Sequence, residues 1–481
     1  MLFNSLRFLI FFPLVLTLFY LIPKRFRWLM LLISSYYFYM CWKPEYIILI
    51  ILSTVVDYIA GIKIFESKTK KKKRFWLFSS LFMNLGLLFA FKYFNFFNDS
   101  IRILLENFNL KWGIPDFSLL LPVGISFYTF QTLSYTIDVY KGKLKPQRHL
   151  GIFALYVSFF PQLVAGPIER ATHLLPQFQR KVQFDYQRVV FGMRLILVGF
   201  FKKIVIADRL AFIVNPVYEN PHDYTGFPLI LATILFAFQI YCDFSGYSDI
   251  AIGTAKCMGF DLMQNFKRPY YSKSIREFWK RWHISLSTWF RDYFYIPLGG
   301  NRVSKIRLYR NLMLTFIISG LWHGANWTFI VWGALHGSYC IFETQVLDKI
   351  AFFKIRNSFS KYLYIVYTFI LVDISWVFFR ANSLSDALYI LKNMFVGIFS
   401  QITNKDMLFN SLKNISKFQI VVGIFSIFIL EILHLLDRDD SMLYRLEKLS
   451  PIYRWIIYVI FTLFTILMGE YGSQKFIYFQ F

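Results

Sequence analysis

Residues 311–337, "NLMLTFIISGLWHGANWTFIVWGALHG", form two apolar runs that meet at His323. A hydrocarbon core of about 30 Å is crossed by about 20 helical residues, so these runs predict membrane helices. The preceding segment is basic, which favours entry from the cytoplasmic side. A helical rise of about 1.5 Å per residue then carries His323 about 20 Å into the membrane. An ionisable side chain at that depth is a candidate for a functional site.

The composition of the whole chain agrees with this interpretation. The 481 residues are 57% hydrophobic and 21% aromatic but only 17% charged, which excludes an ordinary soluble protein. The net charge of +25 comes from basic residues in the connections between apolar runs, so it does not indicate nucleic-acid binding. We predict an all-α, polytopic membrane protein with about eleven to thirteen membrane segments, the first of them a retained helix over residues 8–22.

Basic loops set the predicted topology. Residues 23–27, 68–74 and 140–149 are expected in the cytoplasm, which places the N-terminus outside. Residues 267–310 carry eleven Lys and Arg against two acidic residues and are also expected in the cytoplasm, so the C-terminus lies outside. Residues 151–166 are apolar but interrupted by proline and glycine, which predicts a re-entrant segment.

No internal repeat or long linker divides the chain. We therefore predict a single domain over residues 1–481, with core motifs in 121–340 and an aromatic tail in 470–481. Residues 187–216 resist assignment because "FKKIVIADR" places charges inside an otherwise apolar run. The four cysteines lack the spacing of a zinc or redox site, so no metal is expected.

Residues 270–302, "YYSKSIREFWKRWHISLSTWFRDYFYIPLGGNR", combine aromatic and basic side chains at helical spacing. One predicted face is apolar: Ile275, Phe278, Trp282, Leu286, Trp289 and Tyr293. A second face is polar: Arg276, Lys280, His283, Ser287 and Arg291. The pattern predicts an amphipathic helix at the cytoplasmic interface that ends at Pro297, with an i,i+4 ion pair between Glu277 and Arg281.

Two interpretations of this helix stay open. It is either a basic surface helix bound to anionic membrane lipids or a platform for a phosphate-bearing acyl donor. The donor-binding candidates are Arg276, Lys280, Arg281 and Arg291.

His323 likewise has two interpretations, a packed core histidine or a neutral general base. His336 lies about 220° further around a continuous helix, so the two rings do not share a face and a metal pair is disfavoured. For His336 and His283, packing is the simpler interpretation.

The same residues resemble a known family. The segments 276–302 and 319–337 look like the signature of the membrane-bound O-acyltransferase superfamily, in particular its bacterial branch of alginate and peptidoglycan O-acetylation proteins, a sister of the teichoic-acid D-alanylation protein. Further segments of similar character run along the chain: "LPVGISFYTFQTLSYTIDVYKG" (121–142), "FFPQLVAGPIER" (159–170), "YCDFSGYSDIAIG" (241–253) and "WVFFRANSLSDAL" (376–388).

The resemblance implies a fold with re-entrant and interfacial helices around a central funnel. It implies transfer of an acetyl group from a cytoplasmic thioester, acetyl-CoA or an acyl carrier phosphopantetheine, with no bound cofactor. His323 of "WHG" is then the catalytic base and His283 of "WHISLS" lines the donor side. Asn326, Trp322 and Trp327 are candidates for the oxyanion donor or pocket.

The tail adds a candidate of its own. Tyr478 in "KFIYFQF" is either an acyl relay toward a periplasmic O-acetyltransferase partner or an aromatic anchor at the membrane interface. The resemblance places the protein in the bacterial inner membrane and makes an envelope polysaccharide the acceptor. The many Lys, Ile, Phe, Tyr and Asn residues suggest an AT-rich genome, which favours peptidoglycan over alginate. The alternatives are a lipid or glycan transporter and a family member that acylates a lipid.

Overall fold

The computed structural model describes residues 1–347, 358–412, 415–436, 442–471 and 476–477. Every regular element in these ranges is helical, which confirms the all-α prediction. The chain forms two compact units, one of residues 1–192 with 254–263 and one of residues 193–253 with 264–481. The prediction of a single domain stays a prediction, and Tyr478 lies outside the described residues.

The first unit contains nine helices and the start of a tenth. They are α1 (Leu6–Leu21), α2 (Arg27–Met40), α3 (Ile47–Glu66), α4 (Lys70–Leu88), α5 (Phe94–Glu106), α6 (Ile125–Tyr140), α7 (Leu150–Ser158), α8 (Phe160–Leu163), α9 (Ala171–Phe178) and α10 (Tyr186–Phe200). Helix α6 is buried along nearly its whole length and packs against α3 and α4.

The second unit holds the remaining helices. They are α11 (Asp208–Glu219), α12 (Phe227–Cys257), α13 (Ile275–Arg281), α14 (Ile284–Phe290), α15 (Lys305–His323), α16 (Trp327–Phe342), α17 (Ser358–Arg380), α18 (Leu384–Asn393), α19 (Ile398–Thr403), α20 (Lys405–Ser411), α21 (Lys417–Leu436), α22 (Met442–Arg445) and α23 (Pro451–Met468). Short π-helical segments, Phe201–Ala207 and Arg291–Tyr295 among them, join neighbouring helices.

Small residues allow two helix pairs of the second unit to approach closely. A Cβ atom on Gly320 of α15 would collide with the backbone of α16, and one on Gly333 of α16 would collide with α15. Gly199 of α10 and Gly246 of α12 face each other in the same way, because a Cβ atom on either glycine would lie only 2.7 Å from the carbonyl oxygen of the other. Close backbone approach of this kind is typical of packed membrane helices.

Six helical segments of the described chain are long and apolar enough to cross a membrane: Pro44–Glu66, Lys70–Glu106, Phe227–Cys257, Phe359–Arg380, Lys417–Leu436 and Pro451–Met468. The protein is therefore a multi-pass membrane protein, as predicted. The number of eleven to thirteen segments stays a prediction.

The two regions that the sequence left uncertain are now assigned. Residues 151–166 break at Phe159 into α7 and α8 and are almost entirely buried, as irregular backbone in a membrane protein must be. Residues 187–216 form α10 and α11, joined by the π-helical segment Phe201–Ala207.

Candidate active site

The predicted amphipathic helix is broken in two at His283. Helix α13 ends at Arg281, and α14 begins at Ile284, because His283 adopts a left-handed conformation with φ 42°. The apolar face is buried as predicted, with Ile275 and Trp282 at most 1% exposed. The placement of His283 on the polar face was wrong, since the left-handed residue turns the ring inward, where it is fully buried.

Local contacts fix the start of α13. The Ser274 hydroxyl accepts a hydrogen bond from the Glu277 N–H at 3.1 Å, and the Glu277 carboxylate accepts from the Lys273 N–H at 2.9 Å, one residue before the N-cap. The buried carboxylate of Glu343 accepts from the Ile275 N–H at 2.6 Å. Helix α13 is thereby held rigidly next to His283.

Asn265 orients the His283 ring. Its amide nitrogen donates to the Ser248 hydroxyl at 3.3 Å, so its Oδ1 faces His283 and accepts from Nδ1 at 3.2 Å. The same Oδ1 accepts from the Ser285 hydroxyl at 2.9 Å. Nδ1 therefore carries the proton, which leaves the lone pair on Nε2. Burial lowers the pKa of His283 to about 3, so the ring is neutral at physiological pH.

His323 ends α15 inside a cluster of aromatic rings. Its ring centroid lies 4.9 Å from Trp322, 5.1 Å from Trp332 and 5.3 Å from Phe379. The residue is 3% exposed. Trp322 also lies 6.1 Å from His283, so one indole contacts both imidazoles. The structure thus brings the two histidines of the predicted site together.

His336 has a structural position. The Trp279 indole N–H donates to its Nδ1 at 3.3 Å, and its Nε2 lies 2.9 Å from the Ser375 hydroxyl, which donates to the Val372 carbonyl. Nε2–H is therefore the donor to Ser375. Both ring nitrogens are used within the core, in agreement with the packing interpretation.

Three of the four predicted donor-binding cations lie in ion pairs. Arg281 pairs with Glu277 at 2.5 Å, which confirms the predicted i,i+4 contact. Arg276 lies 3.5 Å from Glu343, and Arg291 lies 2.7 Å from its neighbour Asp292. The side chains of Arg276, Lys280 and Arg291 are exposed, so they form an accessible basic surface on and after α13.

The three oxyanion candidates occupy different places. Trp322 is buried and contacts the rings of both His283 and His323. Asn326 caps α16 instead: its Oδ1 accepts from the Thr328 N–H at 3.0 Å, and its amide nitrogen donates to the Asn382 carbonyl at 3.2 Å. Trp327 is 52% exposed.

The end of the chain approaches the same region. Phe476 is buried and packs 4.8 Å from Tyr247 and 5.8 Å from Phe244, while Phe244 stands edge-on to His283 at 4.5 Å. The next residue, Ile477, donates its backbone N–H to Asp243 at 2.7 Å. Two ring contacts therefore connect the tail to His283.

Sequence reasoning missed two of these partners. Asp243 lies within the quoted motif 241–253, and buried charges in "FKKIVIADR" required an acidic partner, so that pairing was open to prediction. Asn265 gave no such signal, because a single amide between helices has no characteristic spacing.

Comparison with known proteins identifies the family of this chain. The chain is 43% identical over 398 residues to the probable alginate O-acetylase AlgI of Azotobacter vinelandii, which covers 82% of this chain and 78% of the relative. The sequence pattern of the membrane-bound O-acyltransferase family matches residues 149–379, a range that includes His283 and His323. The chain belongs to the membrane-bound O-acyltransferase family. The predicted family and the prediction of an acyltransferase enzyme are confirmed.

Other members of the membrane-bound O-acyltransferase family are also similar. The peptidoglycan O-acetyltransferase of Helicobacter pylori is 38% identical over 406 residues, 79% of this chain and 74% of the relative. The teichoic acid D-alanyltransferase of Streptococcus thermophilus is 31% identical over 245 residues, 48% of this chain and 59% of the relative. The names of these relatives differ in the acceptor and in the acyl group.

Proposed function

We propose that this enzyme takes an acetyl group from a cytoplasmic thioester, acetyl-CoA or an acyl carrier phosphopantetheine, and passes it across the bacterial inner membrane for O-acetylation of a cell-envelope polysaccharide. The observation that carries the proposal is the pair of buried imidazoles, His283 and His323, which both contact the indole of Trp322. Relatives named for alginate and for peptidoglycan acetylation support this acceptor class.

The proposed reaction is general-base catalysis by His323, whose neutral imidazole acts on the attacking hydroxyl. His323 removes the proton as the hydroxyl oxygen attacks the thioester carbonyl, and a tetrahedral oxyanion forms. The C–S bond then breaks, the acetyl ester remains on the oxygen, and the proton passes from His323 to the departing thiolate. A dry aromatic surrounding strengthens any donor aimed at the oxyanion, and the Trp322 indole is the preferred candidate.

We assign the donor side to His283 and to the basic surface on and after α13. A phosphopantetheine arm carries phosphate groups, for which Arg276, Lys280 and Arg291 are suitable exposed partners. Arg281 is a weaker candidate because its guanidinium already pairs with Glu277.

We further propose that the attacking hydroxyl is that of Tyr478, which then carries the acetyl group to a periplasmic O-acetyltransferase partner. Its two neighbours on the N-terminal side are buried close to the His283 region, which supports this assignment. The N-terminus and the C-terminus lie outside in this proposal, and peptidoglycan is favoured over alginate as the acceptor.

Transfer from radiolabelled acetyl-CoA to the purified protein tests the catalytic assignment. His323→Ala is expected to lower the labelling rate at least about a hundredfold, since general-base catalysis contributes about 10²–10⁴. His336→Gln provides the matched control, because that ring is equally buried but bonded within the core, and its labelling per folded molecule is expected to stay near wild type. Equal labelling of His323→Ala and wild type would remove the assignment.

Mass analysis of envelope glycans from a strain that lacks the gene tests the acceptor. Loss of O-acetyl groups from peptidoglycan alone is the expected result. Loss from an exopolysaccharide, or from a lipid with the glycans intact, would replace the proposed acceptor. If export of an envelope lipid or glycan requires the gene but no thioester is consumed, the protein is instead a transporter.

A further inference from the structure

The charges inside "FKKIVIADR" form a buried cluster with α12. The Lys203 ammonium lies 2.7 Å from Asp208 and 2.6 Å from Asp243, and all three side chains are at most 4% exposed. One cation between two carboxylates leaves a formal charge of −1. Burial of such a cluster is costly unless each carboxylate has further donors.

The C-terminal tail supplies one of these donors. Asp243 divides its oxygens, because Oδ1 faces Lys203 while Oδ2 accepts the backbone N–H of Ile477 at 2.7 Å. Hydrogen bonds from an amide to a carboxylate are stronger than those between neutral groups. The contact joins residues 234 positions apart, so it fixes the tail and is not part of a local turn.

A second group holds the same segment further upstream. Arg209 donates to the Met468 carbonyl at 2.5 Å and lies 3.2 Å from the Glu470 carboxylate. The Glu470 N–H donates to the Ile204 carbonyl at 2.9 Å. The chain that leaves α23 is therefore bound by residues 204–209 before it reaches Asp243.

The anchored residues lie beside the candidate active site. Phe476 is 1% exposed, contacts Phe244 and Tyr247, and Phe244 contacts His283. Close packing of Gly199 against Gly246 brings α10 and α12 together near these residues. The anchor thus holds the tail one aromatic ring away from His283.

We propose that Asp243, held by Lys203, is a positioning residue that docks the C-terminal tail through the backbone amide of Ile477 and so serves the proposed relay at Tyr478. The inference rests on the proposed function. It adds a docking site for the acyl-accepting segment within the same chain. This site consists of the charged residues of 203–209 and of Asp243 on α12.

The variant Asp243→Ala tests the proposal. It removes the acceptor of the Ile477 N–H but leaves Lys203 paired with Asp208, so the cluster becomes neutral and the fold is expected to persist. Loss of a charge-assisted hydrogen bond lowers the docked population about tenfold to a hundredfold. The initial rate of acetyl-Tyr478 formation, followed by mass spectrometry, is expected to fall by that factor while the KM for acetyl-CoA stays unchanged.

The matched control is the neighbouring ion pair. Lys202 lies 2.7 Å from Asp249, which follows Asp243 by six residues on α12. Asp249→Ala is expected to keep the wild-type rate of tail acetylation. Digestion by carboxypeptidase measures docking of the tail independently of acetyl transfer. The enzyme is expected to shorten the tail faster in Asp243→Ala than in Asp249→Ala or wild type.

A double-mutant cycle completes the test. Phe476→Ala and Asp243→Ala act on the same docked segment, so their effects on tail acetylation are expected to be strongly non-additive. Wild-type rates and protease resistance in Asp243→Ala, or equal losses in the Asp243 and Asp249 variants, would overturn the positioning role. No acetyl group on wild-type Tyr478 would reject the proposed relay itself, and the protease result then still decides whether Asp243 docks the tail.

Discussion

Two buried carboxylates, Asp57 and Asp243, obtain their hydrogen-bond and ion-pair partners in different ways. Asp57 lies on α3, where Oδ2 accepts from the Asn84 amide at 2.9 Å and Oδ1 accepts from the Ser80 and Thr136 hydroxyls. These donors are neutral and come from the neighbouring helices α4 and α6. Asp243 instead faces the cation of Lys203 and the backbone of the tail.

The difference separates an architectural cluster from a docking cluster. The Asp57 donors belong to helices that pack side by side, so the bonds strengthen a contact that the fold already makes. The Asp243 cluster instead binds a segment from the C-terminal end of the chain. Oδ2 of Asp243 accepts the Ile477 N–H only while the tail is docked. A charged cluster suits this role because it binds a backbone amide more strongly than neutral groups do.

The largest expected effect that sharpens this comparison is that of Lys203→Met. The substitution leaves Asp208 and Asp243 buried without their cation, which costs about 3–5 kcal/mol of the free energy of unfolding. Denaturant unfolding in detergent measures it. The double variant Lys203→Met, Asp208→Asn is the control and is expected to recover part of the loss. A Lys203→Met protein as stable as wild type would show that the cluster is not ionised.

Asp57→Ala is expected to have a smaller effect on stability and none on chemistry. It leaves the donors on Ser80, Asn84 and Thr136 without their acceptor, at a cost of about 1–3 kcal/mol. Thermal unfolding measures the loss, and acetyl transfer per folded molecule is expected to equal that of wild type. A specific loss of acetyl transfer at full stability would contradict the architectural role of this cluster.

The smallest effect is expected for Thr136→Val, which replaces one hydroxyl by a methyl group of similar size. Its bond to Asp57 at 3.1 Å is one of several to that carboxylate. The expected loss is about 1 kcal/mol, the usual net value for one hydrogen bond. A loss as large as that of Asp57→Ala would mean that this single hydroxyl controls the whole cluster.

Much of the candidate site was predictable from sequence. The two histidines, the buried aromatic face of residues 275–293 and the Glu277–Arg281 pair follow from spacing and motif, because those contacts are local or recur within the family. The orientation of His283 was not predictable. Helical periodicity places His283 on the polar face, but its left-handed conformation turns the ring inward. The amide oxygen that accepts its Nδ1–H belongs to Asn265, outside the helix.

The sequence by itself determined that the chain is a helical membrane protein of the O-acyltransferase family, since apolar run length, basic loops and ordered motifs are properties of the linear chain. Only the tertiary structure decided which buried polar groups meet. It brought His283 and His323 to the same indole, that of Trp322, and it gave Asp243 of α12 its partners, the ammonium of Lys203 and the Ile477 N–H of the tail. The physical reason is that a buried charge requires a partner but does not specify from which part of the chain that partner comes.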